Sequence, residues 1–201
     1  MVTDVYPSST FNMGTGILYG SNITNSSLDV IDPCTCLVTP VGPTNFGSLP
    51  GITANGLEVS RLFGVEVEKD ILLTLNTTTG AGTEIGPLGL EFHFTGTTWS
   101  SDVNGLFSIE DTSKSLYTVN TGTGAATKIA DINTDIRSVG IEWHKDTKEL
   151  YMCTDYNNIG KLYSIDVTNG DATEKGGLPY NCNNLASPWT TISCVDDVPF
   201  N

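Results

Sequence analysis

The sequence predicts an all-β fold of four sheets, each made of four antiparallel strands, and two observations support this prediction. First, one short segment recurs at a spacing of 44 residues and aligns Leu18, Leu62, Leu106 and Leu150. Second, apolar and polar residues alternate over runs of about four to eight positions bounded by Gly, Asn or Asp, which is the pattern of half-buried strands. No segment shows the periodicity of an amphipathic helix.

Further segments follow each of these first segments in a fixed order. The second segment ends in Asp or Asn and spans 27–32, 71–76, 115–120 and 161–166. In the last three repeats, a Gly-containing turn then leads to a third segment, which is typical of a β-hairpin. These three segments account for three of the four strands in each repeat.

A fourth segment ends each repeat and contains Trp99, Trp143 or Trp189, while Gly56-Leu57-Glu58-Val59 takes its place in the first repeat. Because the tryptophans recur at one position, we interpret them as packing residues and not as a sugar-stacking set. We predict a single domain over residues 1–201, with blades at about 16–60, 61–104, 105–148 and 149–193.

Four-stranded antiparallel units repeated every 40 to 45 residues or so are typical of β-propeller blades. The pattern L-[YF], then L-[YF]-x-[IV]-[DN]-x-x-[TN]-G-x-[AG]-T-x-[IK]-[GA], resembles the blades of NHL, YVTN and DUF4394-like propellers over roughly residues 16 to 193. The resemblance implies a small β-propeller, either four-bladed or a half-propeller completed by oligomerisation. It does not assign chemistry, because these families include lectins, scaffolds, signalling domains and hydrolases.

Residues 8–12 predict one more strand ahead of the first repeat. Phe11 lies seven residues before Leu18, just as Trp99 lies seven residues before Leu106. We expect an extra outer strand that pairs either with the last blade, closing the ring, or with a neighbouring chain. Pairing between chains would make the protein a homo-oligomer.

The composition restricts the classes of partner. The formal net charge is -14, with 9 Lys and Arg residues against 23 Asp and Glu, so a basic patch for nucleic acid or anionic lipid is not expected. No apolar run reaches the roughly 20 residues that a membrane-spanning helix needs. The polar surface is instead rich in Thr, Ser, Asn and Gly, and we predict an extracellular or surface-associated protein, although Met1 to Asp4 do not begin a signal peptide.

Five cysteines leave at least one without a disulfide partner. Cys182 and Cys194 bracket one predicted strand and are candidates for a bridge. Cys34 and Cys36 lie two residues apart on one strand, a spacing that rarely closes on itself. A C-x-C pair without a second cluster is weak support for zinc.

Candidate ligand-binding residues are sought where the repeats differ, since repetition itself marks the fold. The connections between third and fourth segments differ most, and they contain His93, Arg137 and Tyr180. Equivalent connections of a propeller gather on one face, and loops on a rigid scaffold are common binding sites. Ordinary loop variation is the alternative interpretation.

The sequence contains no recognisable catalytic residues. Its two histidines, His93 and His144, belong to no metal or nucleophile motif, and no G-x-S-x-G elbow is present. We predict no cofactor, although calcium is possible at the turns 102–105 and 155–158, whose Asp and Asn residues also suit ordinary turns.

The leading prediction is a non-enzymatic binding or structural module that recognises a protein or carbohydrate ligand through one propeller face, including as part of a surface or virion assembly. The alternative is a hydrolase or lyase. In that alternative, Glu58 and Glu142, placed on equivalent fourth segments, would line a central channel around a metal.

Overall fold

The computed structural model describes residues 4–103, 105–155 and 159–194, and these residues contain sixteen strands and no helix. The first sheet consists of β1 (Ser8–Phe11), β2 (Leu18–Asn22), β3 (Ser27–Ile31) and β4 (Val38–Pro43). The second consists of β5 (Gly51–Asn55), β6 (Glu58–Glu66), β7 (Ile71–Asn76) and β8 (Gly82–Pro87). The third consists of β9 (Thr95–Ser100), β10 (Gly105–Glu110), β11 (Ser115–Val119) and β12 (Ala126–Asp131). The fourth consists of β13 (Val139–His144), β14 (Glu149–Thr154), β15 (Lys161–Ile165) and β16 (Ala172–Gly177).

The four sheets are the blades of a four-bladed β-propeller, so the predicted fold class is confirmed. Within each sheet, strands follow the order of the chain, and each pairs antiparallel with the next. The first strands of successive blades, β1, β5, β9 and β13, lie innermost and contact one another in turn. The last strand of each blade is largely exposed.

The sheets are offset from the sequence repeats by one strand. Trp99 and Trp143 lie on β9 and β13, so each tryptophan segment begins a blade and does not end the preceding one. The first repeat follows the same rule, because its inner strand is β5 and Gly56-Leu57-Glu58-Val59 forms only the turn and start of β6. Phe11 belongs to β1, which pairs with β2. Residues 8–11 are therefore the innermost strand of the first blade and not the extra outer strand that the sequence suggested.

The Asp or Asn at the end of each second segment closes a turn. Asn76 Oδ1 accepts hydrogen bonds from the N–H groups of Thr78 and Thr79, and Gly80 follows with a φ of 77°. Asn120 with Gly124 repeats this arrangement. A side-chain acceptor two and three residues before its donors, followed by a left-handed residue, is a favourable way to reverse the chain.

Apolar side chains fill the interfaces between successive blades. In the second interface, Leu72 and Phe63 pack against Leu106 and Trp99 of the third blade. Phe63 stacks on Trp99 with the ring centroids 6.0 Å apart, and Phe107 stacks on Trp143 at 6.4 Å in the third interface. Trp99 and Trp143 thus pack between blades, as the sequence predicted.

A hydrogen bond between side chain and backbone joins each inner strand to the next. Thr10 Oγ1 accepts the N–H of Ala54 at 3.2 Å, Thr53 Oγ1 that of Trp99 at 2.9 Å, and Thr98 Oγ1 that of Trp143 at 3.0 Å. We call these three contacts the threonine ladder. All three threonines are buried, so each satisfies a backbone donor that water does not reach.

The face of the first blade that points away from the second blade is polar, whereas the equivalent positions of the other blades are apolar. Asp29 occupies the position of Leu73 and Tyr117, and it accepts hydrogen bonds from Tyr6 Oη (2.6 Å) and Asn22 Nδ2 (2.9 Å). The Tyr6 ring also covers Gly20, where a Cβ would lie 2.8 Å from the ring. The chain's own N-terminal segment therefore covers this face, in place of another sheet.

The segment after β16 joins the fourth blade to the first. Its backbone at Asn184 lies against Gly140 of β13, where a Cβ would come within 2.4 Å of it. Asn184 Nδ2 donates to Ser9 Oγ of β1 at 2.8 Å. Residues 183–188 thus lie where the inner strand of a fifth blade would begin, and we call them the closing segment.

Two disulfides fix the region around the closing segment. Cys153 of β14 bonds Cys182, Cys34 in the β3–β4 turn bonds Cys194, and Cys36 is free and exposed. The suggested bridge between Cys182 and Cys194 was wrong, because each of these cysteines meets a partner in a different blade. Spacing along the sequence did not reveal these partners, which only the folded ring brings close.

Replacing Thr53 tests the threonine ladder. We expect Thr53→Val to lower the free energy of unfolding by about 1–3 kcal/mol, because it leaves the buried N–H of Trp99 without an acceptor. Urea unfolding measures the loss. The exposed Thr83 of β8 provides a control, and Thr83→Val should change stability by no more than about 0.5 kcal/mol. Equal losses in both variants would argue against the ladder.

Replacing Cys34 tests the bridge across the ring. We expect Cys34→Ser to cost about 2–4 kcal/mol, because the bond closes a chain segment with a sequence separation of 160. Cys36→Ser should leave the melting temperature unchanged, since Cys36 is not bonded. Calorimetry with and without reductant makes the measurement. A peptide map that pairs Cys36 with Cys194 would contradict the assignment.

Candidate functional site

The connections between blades and the turns between second and third strands lie on one face of the propeller. Leu88 N donates to Asp70 O, Ile132 N to Lys114 O and Leu178 N to Gly160 O, each at 2.7 Å. We call this surface the loop face; it comprises the connections 44–50, 88–94, 132–138 and 178–182 with the adjacent turns 23–26, 67–70, 111–114 and 159–160.

His93 and Arg137 occupy equivalent positions on the loop face, 44 residues apart. The N–H of His93 donates to Glu110 Oε1, and that of Arg137 donates to Thr154 Oγ1, both at 3.3 Å. Glu110 and Thr154 are themselves equivalent, since each is the last residue of a second strand. The backbone is therefore held while both side chains point into exposed positions.

Tyr180 lies on the same face but not at the equivalent position. Its connection is two residues shorter than the others: Leu178 and Asn184 are six positions apart, whereas Leu88 and Gly96 are eight apart. Counted back from Asn184, the equivalent of Arg137 is therefore Asn181. The Tyr180 side chain is 81% exposed, and its carbonyl lies against Gly160, where a Cβ would come within 2.1 Å. No hydrogen bond or ion pair joins His93, Arg137 and Tyr180 in the part of the chain that the structure describes. Their ligand-binding role stays a prediction.

Glu110 is the buried acidic group beneath His93. Burial alone would raise the pKa of Glu110, but the N–H groups of Ser113, Thr112 and His93 hold that pKa below its ordinary value. Burial and the Glu110 charge raise the pKa of the adjacent Asp111. Glu110 serves the backbone of this connection, and its carboxylate stabilises the loop on which His93 stands.

Exposed apolar side chains share the loop face with these polar groups. Leu90 and Phe94 flank His93, Ile159 lies in the turn of the fourth blade, and all three are exposed together with Tyr180. Aromatic residues and arginine are enriched at protein interfaces. Exposed apolar side chains gain free energy when a partner removes them from water. The composition of the loop face is thus suited to contact with another macromolecule.

The calcium prediction falls partly outside the described residues, which omit Asn104 and residues 156–158. Asp102 accepts the indole N–H of Trp143 at 2.9 Å, and Asp155 accepts the hydroxyl of Ser138. Across the described ranges, no three His, Cys, Asp or Glu side chains gather as a metal site. Nor does any helix within those ranges have the length and apolarity to cross a membrane.

The acidic pair of the alternative enzymatic prediction is not brought together. Glu58 lies at the half-buried start of β6, where it accepts a hydrogen bond from the Ser60 hydroxyl and lies 3.6 Å from Arg61. Glu142 is buried on the inner strand β13, where the equivalent residue of the second blade is Thr53. The equivalence assumed from the sequence was wrong, because Glu58 belongs to a second strand and Glu142 to a first strand.

Glu142 continues the threonine ladder with a carboxyl group. Its Oε1 accepts the N–H of Ser187 at 3.3 Å, and its Oε2 accepts the Thr98 hydroxyl at 3.2 Å. A cavity of about 380 Å³ opens beside it between the fourth blade and the closing segment. The side chains lining this cavity, which we call the blade-4 cleft, are Glu142, His144, Thr147, Tyr151, Leu162, Leu185, Ala186 and Ser187.

Burial dominates the protonation of Glu142. It raises the pKa of the carboxyl to about 8, against the opposing effect of the hydrogen bonds from Ser187 and Thr98. The carboxyl is therefore largely neutral at pH 7, which is the form that an apolar cleft favours. Sequence reasoning named Glu142 but missed the cleft, because the cleft depends on where the closing segment lies.

Comparisons with solved structures agree on the propeller fold. The nidogen/laminin complex contains a chain similar to this one at a TM-score of 0.61 and 15% identity, covering 79% of this chain and 60% of that one. Virginiamycin B lyase from Staphylococcus aureus matches at 0.54 and 18%, covering 81% and 53%. Glutaminyl cyclase from Myxococcus xanthus matches at 0.60 and 11%, covering 83% and 68%.

These similarities are limited to the fold. The chain spans between 41% and 60% of the length of the first three propellers that it matches. No protein-family model matches the sequence, and a search of curated proteins finds no relative. At these levels of identity, binding proteins and enzymes share the architecture, so function has to be argued from the sites.

Glu142 makes stability depend on pH. The folded protein keeps a proton that the unfolded chain releases, so stability should fall by up to about 1.4 kcal/mol per pH unit as pH rises from about 4.5 to 8. Glu142→Gln should remove this slope and make the protein more stable than wild type at pH 8. Melting curves from pH 5 to 8 measure it. Glu58→Gln should keep the wild-type slope over this range, because hydrogen bonds from Ser60 lower the pKa of Glu58. A slope unchanged in Glu142→Gln would contradict the buried, protonated carboxyl.

Proposed function

We propose that this chain is a non-enzymatic, extracellular binding module that recognises a protein through the loop face. The observation that carries the proposal is the pair His93 and Arg137, whose backbone is fixed at equivalent positions while the side chains remain exposed. Because the backbone is already fixed, it loses little conformational freedom on binding, and this lowers the entropic cost of recognition.

A protein ligand is favoured over a carbohydrate by the exposed side chains of the loop face. Leu90, Phe94 and Ile159 offer separate apolar contacts, and Arg137 offers a planar group that pairs with a carboxylate. Interfaces between proteins combine such apolar and arginine contacts. The nidogen/laminin complex, a protein complex by its description, contains a propeller of similar fold and supports the same class of function.

The disulfides support the proposed location. Both disulfides join cysteines that are well separated in the sequence, by 160 and 29 residues. Such bonds persist in oxidising compartments and are rare in the cytosol of most organisms. The net charge of -14 further favours partners with basic surfaces and opposes adhesion to nucleic acid.

The test is a comparison of two variants that alter opposite faces. The loop-face variant combines His93→Ala, Arg137→Ala and Tyr180→Ala. The control combines Leu37→Ala and Leu57→Ala, which remove exposed apolar side chains from turns on the other face. Both sets of positions are exposed, so circular dichroism and melting curves should match wild type.

The partner is first identified by crosslinking this protein to its neighbours in the extracellular fluid of the source culture and analysing the products by mass spectrometry. Bio-layer interferometry with the purified partner should then show that the loop-face variant binds with a Kd at least tenfold higher than wild type. The control variant should bind with the wild-type Kd. Binding lost only in the control would place the interface on the opposite face. A glycan array signal that the loop-face variant removes would replace the protein ligand with a carbohydrate.

A further inference from the structure

In the part of the chain that the structure describes, one face of the fourth blade packs against the closing segment and not against a complete sheet. In the first three blades, the aromatic residue of the second strand (Tyr19, Phe63 or Phe107) is at most 5% exposed, because the next blade packs on it. Its equivalent in the fourth blade, Tyr151, is half-buried. Leu162 is likewise half-buried, although its equivalent Leu116 is completely buried. Both side chains line the blade-4 cleft.

The cleft lies where two other interfaces hold an indole ring. Trp99 stacks on Phe63 with an angle of 22° between the rings, and Trp143 stacks on Phe107 with an angle of 16°. The next residue in this series is 44 positions after Trp143, and it is Ser187. Ser187 donates its N–H to Glu142 much as Trp143 donates its own to Thr98, so the backbone follows the same course. The indole that would stack on Tyr151 is absent at this position, and Trp189, two residues later, packs instead against the cluster of the second interface.

The cleft also retains a candidate acceptor for an indole N–H. In the third interface, Trp143 Nε1 donates to Asp102 in the β9–β10 turn at 2.9 Å. Asp146 lies 44 residues later, at the equivalent position of the β13–β14 turn next to the cleft-lining Thr147, where it is exposed and 3.5 Å from Lys145 Nζ. The ring to stack against and the acidic partner of the N–H group are therefore both repeated in the fourth blade.

A small residue on the inner strand is not sufficient to open such a cleft. Ala54 occupies the tryptophan position of the second blade, yet Tyr19 beneath it is only 5% exposed. Thr77, which follows β7, lies within hydrogen-bond reach of the Tyr19 hydroxyl, so the rest of the second blade covers this ring. The closing segment does not cover the Tyr151 ring in this way, and this ring stays half-buried at the cleft.

We propose that the blade-4 cleft binds a small, planar aromatic molecule of indole size that carries a ring N–H donor. Tyr151 supplies the stacking surface, with its hydroxyl fixed by Glu149 Oε2 at 2.7 Å. His144 forms an edge of the cleft, its ring 6.1 Å from that of Tyr151, and Leu162 and Leu185 form the apolar wall. Glu142 is largely neutral, and Asp146 and Glu149 are paired with Lys145 and Lys175, so the surroundings of the cleft favour a neutral ligand. A volume of about 380 Å³ is within the usual range for small-molecule sites.

Fluorine NMR with 5-fluoroindole tests this site, because the readout does not depend on any activity or on the loop face. Wild-type protein should shift and broaden the fluorine signal in a saturable titration. Ser187→Trp should weaken binding at least tenfold and raise the melting temperature, because its own indole fills the cleft. Thr127→Trp adds an indole to an exposed position on β12 and should bind like wild type.

Two further measurements keep the proposal open to refutation. Tyr151→Ala should also weaken 5-fluoroindole binding at least tenfold, and this result stands even if Ser187→Trp fails to fold. Fluorobenzofuran, which lacks the N–H group, should bind several-fold more weakly than 5-fluoroindole. Absence of saturable binding to wild type, or equal binding by wild type and Tyr151→Ala, would overturn the site. Neither result would bear on the proposed role of the loop face.

Discussion

The hydrogen bond from the backbone of one inner strand to a threonine hydroxyl of the preceding one sets the geometry of the ring. It fixes the height at which successive sheets meet, so that the aromatic residue of one blade faces the inner strand of the next. The stacks of Phe63 on Trp99 and Phe107 on Trp143 follow from this alignment. Glu142 extends the same contact to the closing segment, which is not part of a sheet. There its longer side chain accepts the N–H of Ser187.

This change from threonine to glutamate also explains the local chemistry. A threonine hydroxyl is neutral at every pH of interest, whereas a carboxyl group at the same depth must give up hydration to ionise. Glu142 meets that cost by remaining protonated near neutrality. A titratable group thus enters the contact between β13 and the closing segment.

The 44-residue spacing was enough to predict strand number, sheet number and the structural role of Trp99 and Trp143. Trp189, which the sequence placed in the same series, lies two residues after the equivalent position, which is Ser187. It did not locate the first strand of each sheet, because a ring of repeated units reads the same from any starting strand. That ambiguity misplaced the segment at Glu58 and made it look equivalent to Glu142. His93 and Arg137 were chosen as candidates because their connections break the pattern, and the structure shows only that both side chains are exposed. The cleft at Tyr151 was missed because Tyr151 itself conforms to the pattern. The exposure of Tyr151 depends on the closing segment that packs against the fourth blade, and no local pattern records that packing.

The bond between Cys34 and Cys194 has a consequence for resistance to proteolysis. It encloses most of the polypeptide, including every connection on the loop face that follows the first blade. A protease that cuts one of those connections leaves two pieces still joined covalently, and the interblade contacts keep them in place. Nicked molecules can therefore retain their shape and their ligands, and the damage becomes visible only after reduction.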